Sequence, residues 1–194
     1  MLVHSRRISP CRQPNTRIRH HILKNWAYLP RPDKATPLSI GVVQAFEEVH
    51  PSIAPHIHTL PSNGVLAHVA APLAELGFAV EAGKKHADKI RVPVLYGNNG
   101  RVAKAFEADA YHADERFVVE VEAGRGVANN QFLKDLYQAC MMDDVDYLAI
   151  AVRNVYVAAG VTNPAFDRVV TFFDTLFAGN RMRLPLKGIL IVGY

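Results

Sequence analysis

Residues 106–126 read FEADAYHADERFVVEVEAGRG, and they hold six carboxylates. Val118, Val119 and Val121 mark a strand, yet Glu120 and Glu122 interrupt its apolar run. Side chains two apart on a strand share a face, so the two glutamates project together while Phe117, Val119 and Val121 take the opposite side. Just upstream, Phe106, Glu107, Ala108, Asp109, Ala110 and Tyr111 alternate in the same way. A short, even-numbered turn around Ala113 and Asp114 places Asp109 opposite Val118, on the face of Glu120 and Glu122, with Glu107 beside them.

Like charges gathered this closely destabilise a sheet unless something neutralises them. A divalent cation does so, and a ligand set of oxygens alone favours Mg²⁺, Mn²⁺ or Ca²⁺ over zinc or copper. The plainer alternative is an acidic strand face turned to solvent.

Outward from this stretch the hydrophobic period changes twice. Residues 78–80, 90–96, 101–111 and 116–123 read as strands, the second and third joined by GNNG, a strong hairpin signal. Upstream, Leu38, Val42, Val43, Phe46 and Val49 recur at helical spacing, with Pro51 expected to close the helix. A second helix is capped by Ser62 or Asn63, runs through Leu66, Val69, Leu73 and Leu76, and ends at Gly77. Downstream of Gly126, a helix is predicted with Val127, Phe132, Leu133, Leu136, Tyr137, Cys140 and Met141 inside and Asn130, Gln131, Lys134 and Gln138 outside.

VDYLAIAV, residues 145–152, is the continuous apolar run of a strand buried on both faces and implies parallel pairing. Asn163 and Pro164 start a helix bearing Phe166, Val169, Val170, Phe173 and Leu176, and GILIVGY supplies a last strand. The expected fold class is α/β (α+β): a mixed sheet, an antiparallel meander plus parallel strands, flanked by helices.

The 194 residues suffice for one domain, expected over residues 37–194 with its core from about 62, behind a basic arm of residues 1–36. No acid precedes Asp33, whereas Arg6, Arg7, Arg12, Arg17, Arg19 and Lys24 are all present, as in arms that follow a phosphate backbone. One short helix is expected over residues 18–26. Cys11 and Cys140 have no zinc or disulfide spacing, no apolar run is long enough to span a bilayer, and the basic start lacks an apolar segment behind it. A cytoplasmic protein is the simplest expectation.

An acid on one strand, a turn, an acid-x-acid on the next, then a helix and a buried strand resemble the PD-(D/E)XK nuclease superfamily. The nearest likeness is to restriction endonucleases of the BamHI/BglII type, over roughly residues 62–160. The resemblance implies a restriction-endonuclease-like fold and Mg²⁺- or Mn²⁺-dependent hydrolysis of DNA by a homodimer. It assigns Asp109, Glu120 and Glu122 to the metal, with Glu122 standing where lysine is usual and Ala108 where the motif has proline. Lys134 is the candidate for the missing positive charge. Arg125, Gln131, Arg17 and Arg19 are the candidates for contact with nucleic acid. Two other readings stay open: a nucleic-acid-binding protein on the same fold without its chemistry, and a hydrolase using paired carboxylates on a small phosphoester or glycoside.

Overall fold

Strands that carry apolar residues on both faces must lie inside a sheet, and the chain has two of them. The computed structural model describes residues 25–124, 129–158 and 160–194. In chain order these form β1 (Asn25–Leu29), α1 (Pro37–Ile53), α2 (Ser62–Glu75), β2 (Ala79–Val80), β3 (Ile90–Tyr96), β4 (Val102–Ala108), β5 (Ala110–His112) and β6 (Phe117–Glu122). Then come α3 (Gln131–Met141), β7 (Tyr147–Val152), β8 (Tyr156–Ala158), β9 (Val161–Asn163), α4 (Ala165–Gly179) and β10 (Gly188–Gly193).

Six strands make the main sheet in the order β1-β10-β7-β6-β5-β2. β7 pairs in parallel with both β6 and β10, and the outer pairings are antiparallel. The two central apolar strands, β7 and β10, are therefore covered on both faces, as a parallel arrangement requires. On one side Val42, Val43 and Phe46 of α1 and Val65, Val69 and Leu73 of α2 meet Val119, Val121, Ala149 and Ala151. On the other, Phe132 and Leu136 of α3 and Val169 and Phe173 of α4 meet Val118, Leu148, Ile150, Ile189 and Ile191. The fold is mixed α/β in three layers, and β6 contributes alternate residues to both cores.

The structure departs from the sequence expectation in four places. The segment expected as an arm yields β1, an edge strand paired with β10, so Asn25 and Trp26 are strand and not helix, and residues 1–24 lie outside the described residues. α1 belongs to the core and continues past Pro51 to Ile53, because Ile53 is buried and its turn closes through the Ala54 amide donating to His50. Residues 101–111 are two strands, not one: β4 pairs with β3 in a separate two-stranded sheet, and β5 joins the main sheet after a bend at Asp109. β8 and β9 form an additional small hairpin. The GNNG hairpin stands as expected, with Asn99 in the left-handed region at φ 60°.

Candidate carboxylate site

The β5–β6 connection decides which acids can meet. Ala110 faces Val119, Tyr111 faces Val118 and His112 faces Phe117, leaving four residues in the turn. Four is even, so the parity expected from the sequence holds. The register differs by two, however: Tyr111 lies opposite Val118, and continuing the ladder brings Asp109 level with Glu120. The bend at Asp109 is held by its own side chain, whose Oδ2 accepts a hydrogen bond from the Val121 amide at 2.7 Å.

Glu120 and Glu122 share the β6 face that carries Val118, while Phe117, Val119 and Val121 enter the opposite core. Glu107 does not join them. It lies on the β3–β4 hairpin with its side chain 57% exposed, 3.5 Å from Lys89 Nζ, because the bend at Asp109 breaks the alternation that would have carried it onto the common face.

A fourth acid takes part that the amphipathic reading of α3 left out. The buried residues of that helix are Phe132, Asp135, Leu136 and Ala139, whereas Tyr137 and Met141 are each 51% exposed. Asp135, only 2% exposed, stands within hydrogen-bonding reach of Glu122. Its spacing, one turn from Phe132 and Ala139, was the available signal; an acid on a helix simply reads as solvent-facing.

Two lysines flank the acids. Lys134 Nζ lies 3.2 Å from Asp135 Oδ1, with its side chain 58% exposed, and also attracts Glu120 and Glu122. On the other side Lys89 Nζ bonds Glu81 Oε1 at 2.8 Å and attracts Asp109. Neither Glu81 nor Lys89 was singled out from the sequence. Ser62 does not cap α2, whose N-cap position is Pro61; its Oγ instead accepts from the Ala123 amide at 3.0 Å and pins the end of β6.

Burial dominates the electrostatics. It pushes Asp109 up to about 6, against the lowering effect of the Val121 hydrogen bond. Glu120 is raised well above the ordinary glutamate range by burial and then by Asp109 and Asp135. Glu122 is pushed up to about 8 by burial and by Asp135. For Lys134 burial works against the charge, but Asp135, Glu120 and Glu122 outweigh it and raise the pKa. A cluster of acids that resists ionisation is the expected electrostatic state of carboxylates packed together without enough positive charge.

The donor chemistry fits a hard divalent cation: oxygens only, clustered and partly desolvated. As they stand, no three His, Cys, Asp or Glu side chains among the described residues are gathered to hold a metal ion; one oxygen of Asp109 is on the Val121 amide and one of Asp135 on Lys134.

The other candidates divide. Gln131 is the exposed first residue of α3. Arg17, Arg19 and Arg125 lie outside the described residues. His112, beside the acids in sequence, has a packing role: its ring meets Phe78 edge-on at 5.3 Å and its Nδ1 accepts from the Glu115 amide. A groove of about 900 Å³ between α3 and α4, lined by Phe132, Tyr137, Arg168 and Phe172 among others, includes none of the four acids. No helix among the described residues is long and apolar enough to cross a membrane. No protein-family model matches the chain, and no curated protein sequence matches it significantly.

Proposed function

We propose that the protein is a metal-dependent nuclease that hydrolyses phosphodiester bonds in DNA, in the manner of the PD-(D/E)XK enzymes its sequence resembles. The observation that carries this reading is the placement of Glu120 and Glu122 on one face of β6 with Asp109 level with them, all held above their ordinary pKa by burial. Acids in that condition are poised to exchange protons for a cation. Asp109, Glu120 and Glu122 would hold Mg²⁺ or Mn²⁺, which when bound polarises a phosphoryl oxygen and lowers the pKa of a water.

The remaining roles fall to the chain's own groups. Lys134 supplies the positive charge that lysine provides elsewhere in the superfamily, from the helix instead of from the Glu122 position. Gln131 opens α3, where unpaired backbone amides favour a phosphate, and Arg125 precedes it. The basic residues of the N-terminal segment, Arg17 and Arg19 among them, contact the phosphate backbone.

The sheet register supports that last assignment. Glu122 is level with Val152, Val152 with Gly193, and Gly193 with Asn25. Three strand spacings, about 14 Å, separate Glu122 from the point where the basic segment joins the sheet, on the same rim. Cutting both strands of a duplex calls for paired sites, so a homodimer belongs to the proposal.

Plasmid cleavage with Mg²⁺ or Mn²⁺, run beside Glu120→Ala, tests the reading. Cleavage by the wild-type chain and its loss in the variant is expected; equal cleavage in both, or none in either, removes the catalytic claim. The second reading, a nucleic-acid-binding protein on this fold without chemistry, draws on the turning of Asp109 and Asp135 toward protein partners. It predicts salt-dependent DNA binding with no Mn²⁺ binding by calorimetry.

A further inference from the structure

The β3–β4 ribbon stands apart from the main sheet and takes no part in the carboxylate site. Its base is anchored: Val92 and Ala108 are buried in the core that holds Phe132 and Leu136, Val94 and Phe106 pack against it, and the Asp143 amide donates to the Pro93 carbonyl. Beyond that base every residue from 95 to 104 is exposed, and the two strands pair only with each other among the described residues. Leu95, Tyr96 and Val102 are among those left in solvent, with Tyr96 paired to Val102 across the ribbon.

The charge of the ribbon has one sign. Between Lys89 and Glu107 the chain holds Arg91, Arg101 and Lys104 and no acid. The acids that follow Asp143 are already engaged, Asp144 and Asp146 by Arg116. Arg91 is bonded to His86 and lies opposite Glu107. Arg101 and Lys104 have no ion pair among the described residues, and the side chains of Asn98 and Arg101 make no hydrogen bond there. Asn99, at φ 60°, forms the turn that presents them.

One occupant matches this shape and charge. The major groove of duplex DNA, about 12 Å wide, admits a two-stranded ribbon; there Asn and Arg bond adenine and guanine through paired hydrogen bonds, and apolar groups meet the thymine methyl. A second copy of the ribbon would bring the same positive charge against it, and the narrow groove of A-form RNA does not admit it. We infer that the β3–β4 ribbon enters the major groove, with Asn98 and Arg101 on base edges and Lys104 on a phosphate. The inference rests on the DNA reading given above and adds to it an element that reads sequence, separate from the acids that cut.

The chain also sets the spacing between the two. β4 is a seven-residue strand, about 20 Å long, and it leads from the tip of the ribbon directly into Asp109. At about 3.4 Å per base pair this is the length of about six pairs. The recognised sequence therefore lies about six base pairs from the bond that is cut.

Selection of bound duplexes from a randomised pool, with the full chain in chelator so that binding is separated from cleavage, tests the inference. Wild type is compared with Asn98→Ala, Arg101→Ala and Lys104→Ala, whose unfolding temperatures should match its own because all three side chains are exposed. Wild type is expected to enrich a short motif, and Asn98→Ala and Arg101→Ala each to lose about tenfold in discrimination at one base position. Lys104→Ala should weaken binding to all sequences and lower the slope of log K against log salt by about 0.9. In Mg²⁺, cuts should fall about six base pairs from the motif. Unchanged base preference in the Asn98 and Arg101 variants, or duplex binding by wild type without preference, overturns the role of the ribbon and leaves the nuclease reading standing. Preference that the variants lose, with no cleavage by wild type in Mg²⁺ or Mn²⁺, supports the ribbon and removes the catalytic claim. Absence of duplex binding in wild type overturns both.

Discussion

At the scale of single residues, Asp109 shows how one side chain can bend a strand and hold a charge at once. Its carboxylate accepts from the Val121 amide at the bend that separates β4 from β5. Asp109→Ala leaves that buried amide without an acceptor and should lower stability by about 1–3 kcal/mol relative to Asp109→Asn, which keeps an oxygen in place; urea unfolding of the two variants measures the difference. The buried acids also set the pH dependence. Glu122 is raised from 4.5 to about 8 and Asp109 from 3.8 to about 6, so the folded chain binds protons more tightly than the unfolded one over that range. Their contribution to stability is fully present below pH 4 and is lost as pH rises through 6 and 8. Unfolding temperatures measured in chelator should therefore fall between pH 5 and 8, and Mn²⁺ should flatten the decline. A decline of equal steepness with and without the ion would count against cation binding by these acids.

Among elements, the two hairpin connections follow different rules. The β3–β4 turn depends on Asn99 at φ 60°, a conformation that costs most side chains about 1 kcal/mol. Asn99→Ala should loosen that hairpin, and Asn99→Gly should not. Because β3 and β4 form a sheet of their own, the effect should appear as faster amide exchange confined to residues 90–108. The central sheet is less forgiving. A methyl group at Gly193 would lie 2.7 Å from a Phe166 ring carbon and closer still to Asn154 Oδ1, so α4 could dock on β10 only after moving. Gly193→Ala should cost about 1–3 kcal/mol by overpacking, read as a lower denaturant midpoint. α3 carries a different lesson: its inner face is chosen by the sheet beneath it, which turns Asp135 inward and leaves Tyr137 and Met141 outside.

For the whole molecule, the parallel core β6-β7-β10 puts Glu122 and Asn25, the residue that follows the basic segment in the chain, at one level of the sheet. Removing residues 1–24 should weaken binding to duplex DNA and reduce the steepness of its salt dependence, since each phosphate contact contributes about 0.9 to the slope of log K against log salt. Fluorescence anisotropy at several salt concentrations measures both. An unchanged slope would detach the segment from the proposed interface, whatever the fate of the carboxylates.

Much of this was legible in the sequence because it follows from local periodicity. Alternation in FVVEVE puts Glu120 and Glu122 on one face of a strand whatever surrounds them, a continuous apolar run such as YLAIAV suits an inner strand, and an even turn keeps Asp109 on their side. These properties belong to the backbone's period of two and to the demand that apolar residues be buried, so a single segment suffices to state them. The bend at Asp109, the recruitment of Asn25–Leu29 to the sheet edge and the inward turn of Asp135 were decided by the tertiary structure alone. Each depends on a partner distant in sequence: the Val121 amide, β10, and the sheet face on which α3 packs. Hydrogen bonding and burial act through space, and only the assembled layers brought those groups together.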